Sequence, residues 1–174
     1  MKKVVLFSIT LIIAGIVLYA YDKIAREIGI YFFWESKYVG IGLLLIGIAI
    51  FLINRINERN SKKKKAILET IGVVIVSLFF VIGTIVVCVL LNSDAYEVAK
   101  TSIRNDAKLK EEIGNINGFG FIPNGSIKTS SSSAGSVGMA IISLTVKGEK
   151  KFKDVTVHLT LDKDSPDWKI DTQQ

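Results

Sequence analysis

Residues that carry chemistry are scarce in this chain. Its one cysteine, Cys88, excludes an internal disulfide and any CxxC metal or redox pattern. Its one histidine, His158, has no second histidine or matching thiol, so copper, zinc and haem lack a ligand set and no cofactor is expected. The serines at 130–133 sit in no nucleophile elbow. Gly114, Gly118 and Gly120 follow a helical stretch and lead into a strand, the reverse of the order a phosphate loop requires. Asp162, Asp164 and Asp167 bracket Ser165-Pro166 without calcium-loop spacing and read as a solvated turn. These absences predict a protein that is not an enzyme.

Charge is missing in three places. Val4–Ala20, Val39–Asn54 and Ile71–Leu91 contain no Asp, Glu, Lys or Arg. Each run is close to the ~20 helical residues that cross a hydrocarbon core, so residues 1–92 read as a three-helix transmembrane region. The apolar excess behind the mean hydropathy of +0.42 sits there. Ionisable groups inside a membrane mark ion or proton paths, and their absence makes a transporter or channel a poor reading. Gly40, Gly42, Gly47, Gly72 and Gly83 permit close helix contacts but form no GxxxG pair.

What the spans lack, one loop concentrates. Arg55, Arg59, Lys62, Lys63, Lys64 and Lys65 lie between the second and third runs, and Lys2 and Lys3 precede the first. The loop between the first two runs, Tyr21–Tyr38, has Lys23, Arg26 and Lys37 offset by Asp22, Glu27 and Glu35. By the positive-inside rule the eight cations stay in the cytoplasm, which puts the N-terminus in and the C-terminal domain out. Glu69 reads as an interfacial ion-pair partner of Lys63–Lys65. Tyr19, Tyr21, Tyr31, Phe32, Phe33, Trp34 and Tyr38 crowd the opposite loop, as rings at a headgroup layer do. Leu18-Tyr-Ala20 is a poor cleavage site, so the first run reads as a retained anchor. Cleavage would leave two spans and the same exported face. The Met-Lys-Lys start points to a bacterial inner membrane rather than a mitochondrial one.

The formal charge of +6 belongs to the membrane region: residues 1–92 hold eleven Lys or Arg against five Asp or Glu, and residues 93–174 hold eleven of each. A nucleic-acid binder would carry its basic face on the folded domain, so no nucleic acid is expected as a partner. Residues 93–174 can bury one modest core. Asp94-Ala-Tyr-Glu97 reads as a capping box opening one amphipathic helix, Asp94–Ile113, with Tyr96, Ala99, Ile103 and Ala107 on its apolar stripe and Gly114 as its stop. Gly118–Ile122 and Ser126–Lys128 flank a Pro-Asn-Gly125 turn, and Thr129–Gly135 reads as a flexible loop. Ala140, Ile142, Leu144 and Val146 alternate with polar residues, as do Val155, Val157, Leu159 and Leu161, and Trp168-Lys-Ile170 closes the sheet. The predicted domain is α+β: one helix on a three- to four-stranded antiparallel meander.

Ser93-Asp-Ala-Tyr96, Ala99, Ile103-Arg-Asn105 and Ile113-Gly114, with Gly138, Val146-Lys-Gly148, Val155-Thr-Val157 and Trp168-Lys-Ile170 behind them, resemble the cytochrome oxidase complex assembly protein one family. The likeness runs from Ser93 to Ile170. Three spans in place of a single anchor, and the Thr129–Ser133 stretch, depart from the family pattern. The resemblance implies a membrane-anchored extracytoplasmic α+β domain with an accessory role in assembling a respiratory oxidase. Its partners would be oxidase subunits or other assembly factors, met through an exposed sheet edge or the Thr156, His158 and Thr160 face. The alternative is an envelope sensor, or a ligand- or peptide-binding module, on a membrane anchor.

Overall fold

In lipid a backbone must satisfy its own N–H and C=O groups, so long uncharged apolar runs become helices. The computed structural model describes residues 2–132, 135–163 and 167–173. Its first three helices, α1 (Lys2–Glu27), α2 (Ser36–Ser61) and α3 (Ile67–Leu91), contain 26, 26 and 25 residues. All three are long and apolar enough to cross a membrane. They outrun the uncharged stretches at the ends, where charged side chains find partners: Asp22 with Arg26 at 3.1 Å, and Glu58 with Lys62 at 2.8 Å.

The chain divides into two compact units, residues 1–85 and 86–174. In the first, α1 and α2 form an antiparallel hairpin held at backbone distance. A Cβ on Gly15 or on Gly40 would lie 2.6 Å from the other residue's carbonyl oxygen, and one on Gly47 would lie 3.0 Å from Ser8 O. Side chains are absent where the helices cross, which lets the two backbones touch. At Gly72 of α3 the neighbour is a side chain instead of backbone: a Cβ would lie 2.9 Å from a terminal methyl of Leu52. Gly42 and Gly83 face open space and take no part. Glu69 pairs with Arg59 at 2.8 Å rather than with Lys63–Lys65 of the loop before α3, because α2 brings Arg59 alongside the start of α3.

The short loop between α1 and α2 is less uniform than a row of interfacial rings. Phe32 is 70% exposed, but Trp34 is buried. The Arg26 guanidinium lies 4.6 Å from the Trp34 ring centroid and donates to Trp34 O, while Trp34 Nε1 donates to Ile30 O at 2.7 Å. An arginine supplied by α1 covers the indole that no larger element could cover.

In the second unit the predicted single helix is two: α4 (Asp94–Asn105) and α5 (Ala107–Ile113). Asp106 divides them. Its side chain accepts from Leu109 N at 3.1 Å, giving the backbone a cap in place of helix continuation. The break re-phases the apolar stripe, so Leu109 and Ile113 enter the core and Ala107 is left exposed. The cap of α4 is Ser93, accepting from Tyr96 N at 3.2 Å, one residue before the predicted Asp94. Glu97 pairs forward with Lys100 at 3.0 Å instead of reaching back. Gly114, at φ +80°, ends α5 in a conformation L side chains resist.

Five strands follow: β1 (Ile116–Phe119), β2 (Asn124–Ser132), β3 (Gly135–Gly148), β4 (Phe152–Leu161) and β5 (Trp168–Gln173). All pairings are antiparallel. β1 and β2 lie end to end along one side of β3, which continues to β4 and then β5. Pro123-Asn-Gly125 therefore turns no hairpin between the two pieces. β3 runs 14 residues and pairs with both, and Gly120 N still donates to Thr145 O at 2.7 Å between them. For the same reason Thr129–Ser132 are strand, matched to Gly138 through Gly135, rather than loop. Ser133 and Ala134 of that predicted loop, and Asp164–Pro166 of the predicted acidic turn, lie outside the described residues. One sheet face packs under α4 and α5. There Tyr96, Ala99, Ile103, Leu109 and Ile113 meet Ala140, Ile142, Leu144 and Val146 of β3 and Val155, Val157 and Leu159 of β4.

Candidate functional site

Period-two alternation sends every second residue of β3 and β4 away from the helices. On β3 these include Val137, Met139 and Ile141, which are 37%, 66% and 41% exposed. The register sets Thr160 beside Met139, His158 beside Ile141 and Thr156 beside Ser143. On the other flank Lys128 lies beside Met139 and Ser126 beside Ile141. The uncovered face is an aliphatic row between two polar rows. Sequence reasoning found the β4 row, Thr156, His158 and Thr160, and missed Val137 and Met139 as its apolar neighbours. The signal was available, because Val137, Met139 and Ile141 are two apart and out of phase with the core row Ala140, Ile142 and Leu144.

The polar rows are partly tied together. Ser143 Oγ and Thr156 Oγ1 are 2.8 Å apart, and Thr145 Oγ1 donates to Asp154 Oδ1 at 2.6 Å. Beside these fixed pairs, Lys128, Met139, Ile141, His158, Thr160 and Asp171 line a shallow hollow of about 160 Å³. Ligand pockets for drug-sized molecules hold ~300–1,000 Å³, so the hollow is the size of a single side chain. A larger open groove of about 400 Å³ lies on α4 beside Ile170, lined by Glu97, Val98, Thr101, Ser102 and Asn105. Among the described residues no group of three or more His, Cys, Asp or Glu is placed to hold a metal ion.

The six cations read as topology determinants gather at one end of the first unit. Arg55 and Arg59 ride the last turns of α2, and Lys62–Lys65 lead from it into α3. Arg59 also donates to Lys65 O at 3.1 Å, folding the basic loop back on the helix end. Because α1 runs antiparallel to α2, Lys2 reaches the same end and lines one groove with Asn54 and Glu58. The eight cations counted together in the sequence thus lie at one end of the α1–α2 hairpin. A scan against protein-family models, a search of the curated proteins and a search of the solved structures each find no match to this chain.

Proposed function

We propose that the protein is a membrane-anchored, non-enzymatic accessory factor whose α+β domain, displayed outside a bacterial inner membrane, holds partner subunits through its uncovered sheet face. The single observation that supports this reading is the exposed Val137, Met139 and Ile141 row between hydrogen-bonding flanks. An apolar centre rimmed by polar groups is the composition of a contact surface, and a row on the face of a strand already paired on both sides suits side chains or the apolar face of a helix rather than an added strand. Three anchors confine the domain to the bilayer plane and raise the effective concentration of membrane-bound partners. The resemblance read from Ser93 to Ile170 makes respiratory oxidase subunits, or other factors of their assembly, the partners to look for.

The orientation rests on the basic end remaining cytoplasmic. Alkaline phosphatase fused after Gln174 is expected to be active. An inactive fusion, with a cytosol-only fluorescent tag glowing in its place, overturns the orientation. Co-purification in mild detergent is expected to recover oxidase subunits with the wild type and to lose them with Met139→Asp/Ile141→Lys. Recovery of none, together with normal oxidase activity in a deletion strain, overturns the assembly role. The groove on α4 beside Ile170 favours a second reading, an envelope sensor, and a soluble ligand protecting Ser102 or Asn105 from hydrogen exchange would move the assignment there.

A further inference from the structure

The groove between the first turns of α1 and the last turns of α2 holds about 380 Å³ and is lined by Lys2, Val5, Leu6, Ile9, Asn54 and Glu58. Its wall is aliphatic, with Leu6 67% and Ile9 41% exposed. Its mouth is basic. Asn54 is nine-tenths buried, and its Nδ2 makes no hydrogen bond within the protein. A buried amide donor without an acceptor is unfavourable, the more so at low dielectric, and it points to an oxygen ligand. Glu58, the anion of the lining, is neutralised by Lys62 at 2.8 Å, so it does not close the groove to negative charge.

We propose that this groove seats one anionic phospholipid. An acyl chain lies along Val5, Leu6 and Ile9. The phosphate meets the Lys2 ammonium, and a phosphate or ester oxygen accepts from Asn54 after the amide turns toward the groove. Lys3, Arg55 and Lys63–Lys65, at the same end, supply the field that selects a net-negative headgroup over a zwitterionic one. A free phosphate would leave the aliphatic wall unused. A lipid uses both halves of the groove, and the wall lies on helices that are apolar enough to stand in a bilayer.

The full-length protein, released from nanodiscs of phosphatidylcholine and phosphatidylglycerol in equal parts, tests this by native mass spectrometry. Wild type is expected to retain one phosphatidylglycerol in clear preference to phosphatidylcholine. Lys2→Gln should lower that preference roughly fivefold, the factor one cation contributes at an anionic surface. Asn54→Leu should lower it as well, and Lys23→Gln, at the opposite end of α1, should leave it unchanged. Equal retention of the two lipids overturns the proposal, as does a Lys23→Gln effect equal to that of Lys2→Gln. Loss of the lipid to added inorganic phosphate overturns the role of the aliphatic wall. A preference that disappears with Lys62–Lys65 all changed to Gln, yet ignores Lys2→Gln and Asn54→Leu, assigns the attraction to diffuse charge and overturns the site.

Discussion

In residues 86–174 the side chains fully removed from the surface are Ile103, Ile113, Ile142, Leu144, Leu159 and their valine neighbours, while lysines and threonines lie outside. In residues 1–85 the order is reversed. Ser8 and Ser36 are fully buried, Gly15, Gly40, Gly47 and Asp22 are buried with them, and Leu6, Phe7, Leu78, Phe79 and Phe80 are more than half exposed. The same chain follows two rules because its two units meet two solvents. Water expels aliphatic surface, so the α+β unit gathers it under α4 and α5. Hydrocarbon gains nothing from hiding a leucine, so the helices associate through small residues that bring backbones into contact.

The largest break in this comparison should come from Val157→Asp. Val157 is completely buried in the sheet core, and a carboxylate there has no partner. The expected cost exceeds ~4 kcal/mol, against the ~5 kcal/mol net stability typical of a small domain. Limited proteolysis of inverted and right-side-out membranes should then remove residues 93–174 while the helical unit stays protected. Survival of the α+β unit would mean that its core is not the one described.

Next in size is Gly40→Leu. Its side chain has no room beside Gly15, and overpacking of this kind costs ~1–3 kcal/mol. Gly42→Leu, two residues away and facing open space, should cost almost nothing. Thermal melting of the detergent-solubilised protein compares the pair directly. Equal destabilisation by both would show that the hairpin does not depend on backbone contact.

Much of the fold can be read in the residues themselves. Uncharged runs predict three helices, and strict alternation in Ala140–Val146 and Val155–Leu161 predicts two core strands with the correct faces inward. Legibility fails where a local signal competes with a long-range one. Pro123-Asn-Gly125 looks like a hairpin, yet β3 is long enough to pair on both sides of it. Thr129–Ser132 look like a loop because serine-rich stretches usually are, yet β3 supplies their hydrogen bonds. Gly15 carries no periodic signal of its own, and its role depends on Gly40 arriving opposite it. The candidate site was half legible for the same reason. His158 and its threonines stand out by composition, whereas Met139 matters only through the register that sets it beside Thr160.

A smaller effect separates helix division from helix packing within the α+β unit. Asp106→Ala removes the cap on Leu109 N and should cost ~1 kcal/mol in chemical denaturation, as N-cap losses do. Asp106→Asn, which keeps the acceptor, should lose only a few tenths. If the two variants fall together, the carboxylate charge rather than the cap sets the boundary between α4 and α5.

The smallest expected effect is electrostatic, and it belongs to the water-facing unit alone. Glu112 accepts from Lys151 Nζ at 2.7 Å and from Lys153 Nζ at 2.6 Å. The Lys151 hydrogen bond first, and that from Lys153 with it, holds the carboxyl at about 2, below its ordinary 4.5. A depressed carboxylate stabilises the fold fully above its unfolded value and loses that contribution as pH falls through the folded one. The window therefore runs from pH 4.5 down to about 2. The group is on the surface, where counter-ions and water screen it, so the slope is shallow and should flatten further in high salt. Glu112→Gln should remove that part of the acid dependence by lowering stability slightly above pH 5 while leaving it unchanged near pH 2. An unaltered acid limb in Glu112→Gln would mean that the tie from α5 to β4 holds no charge of consequence.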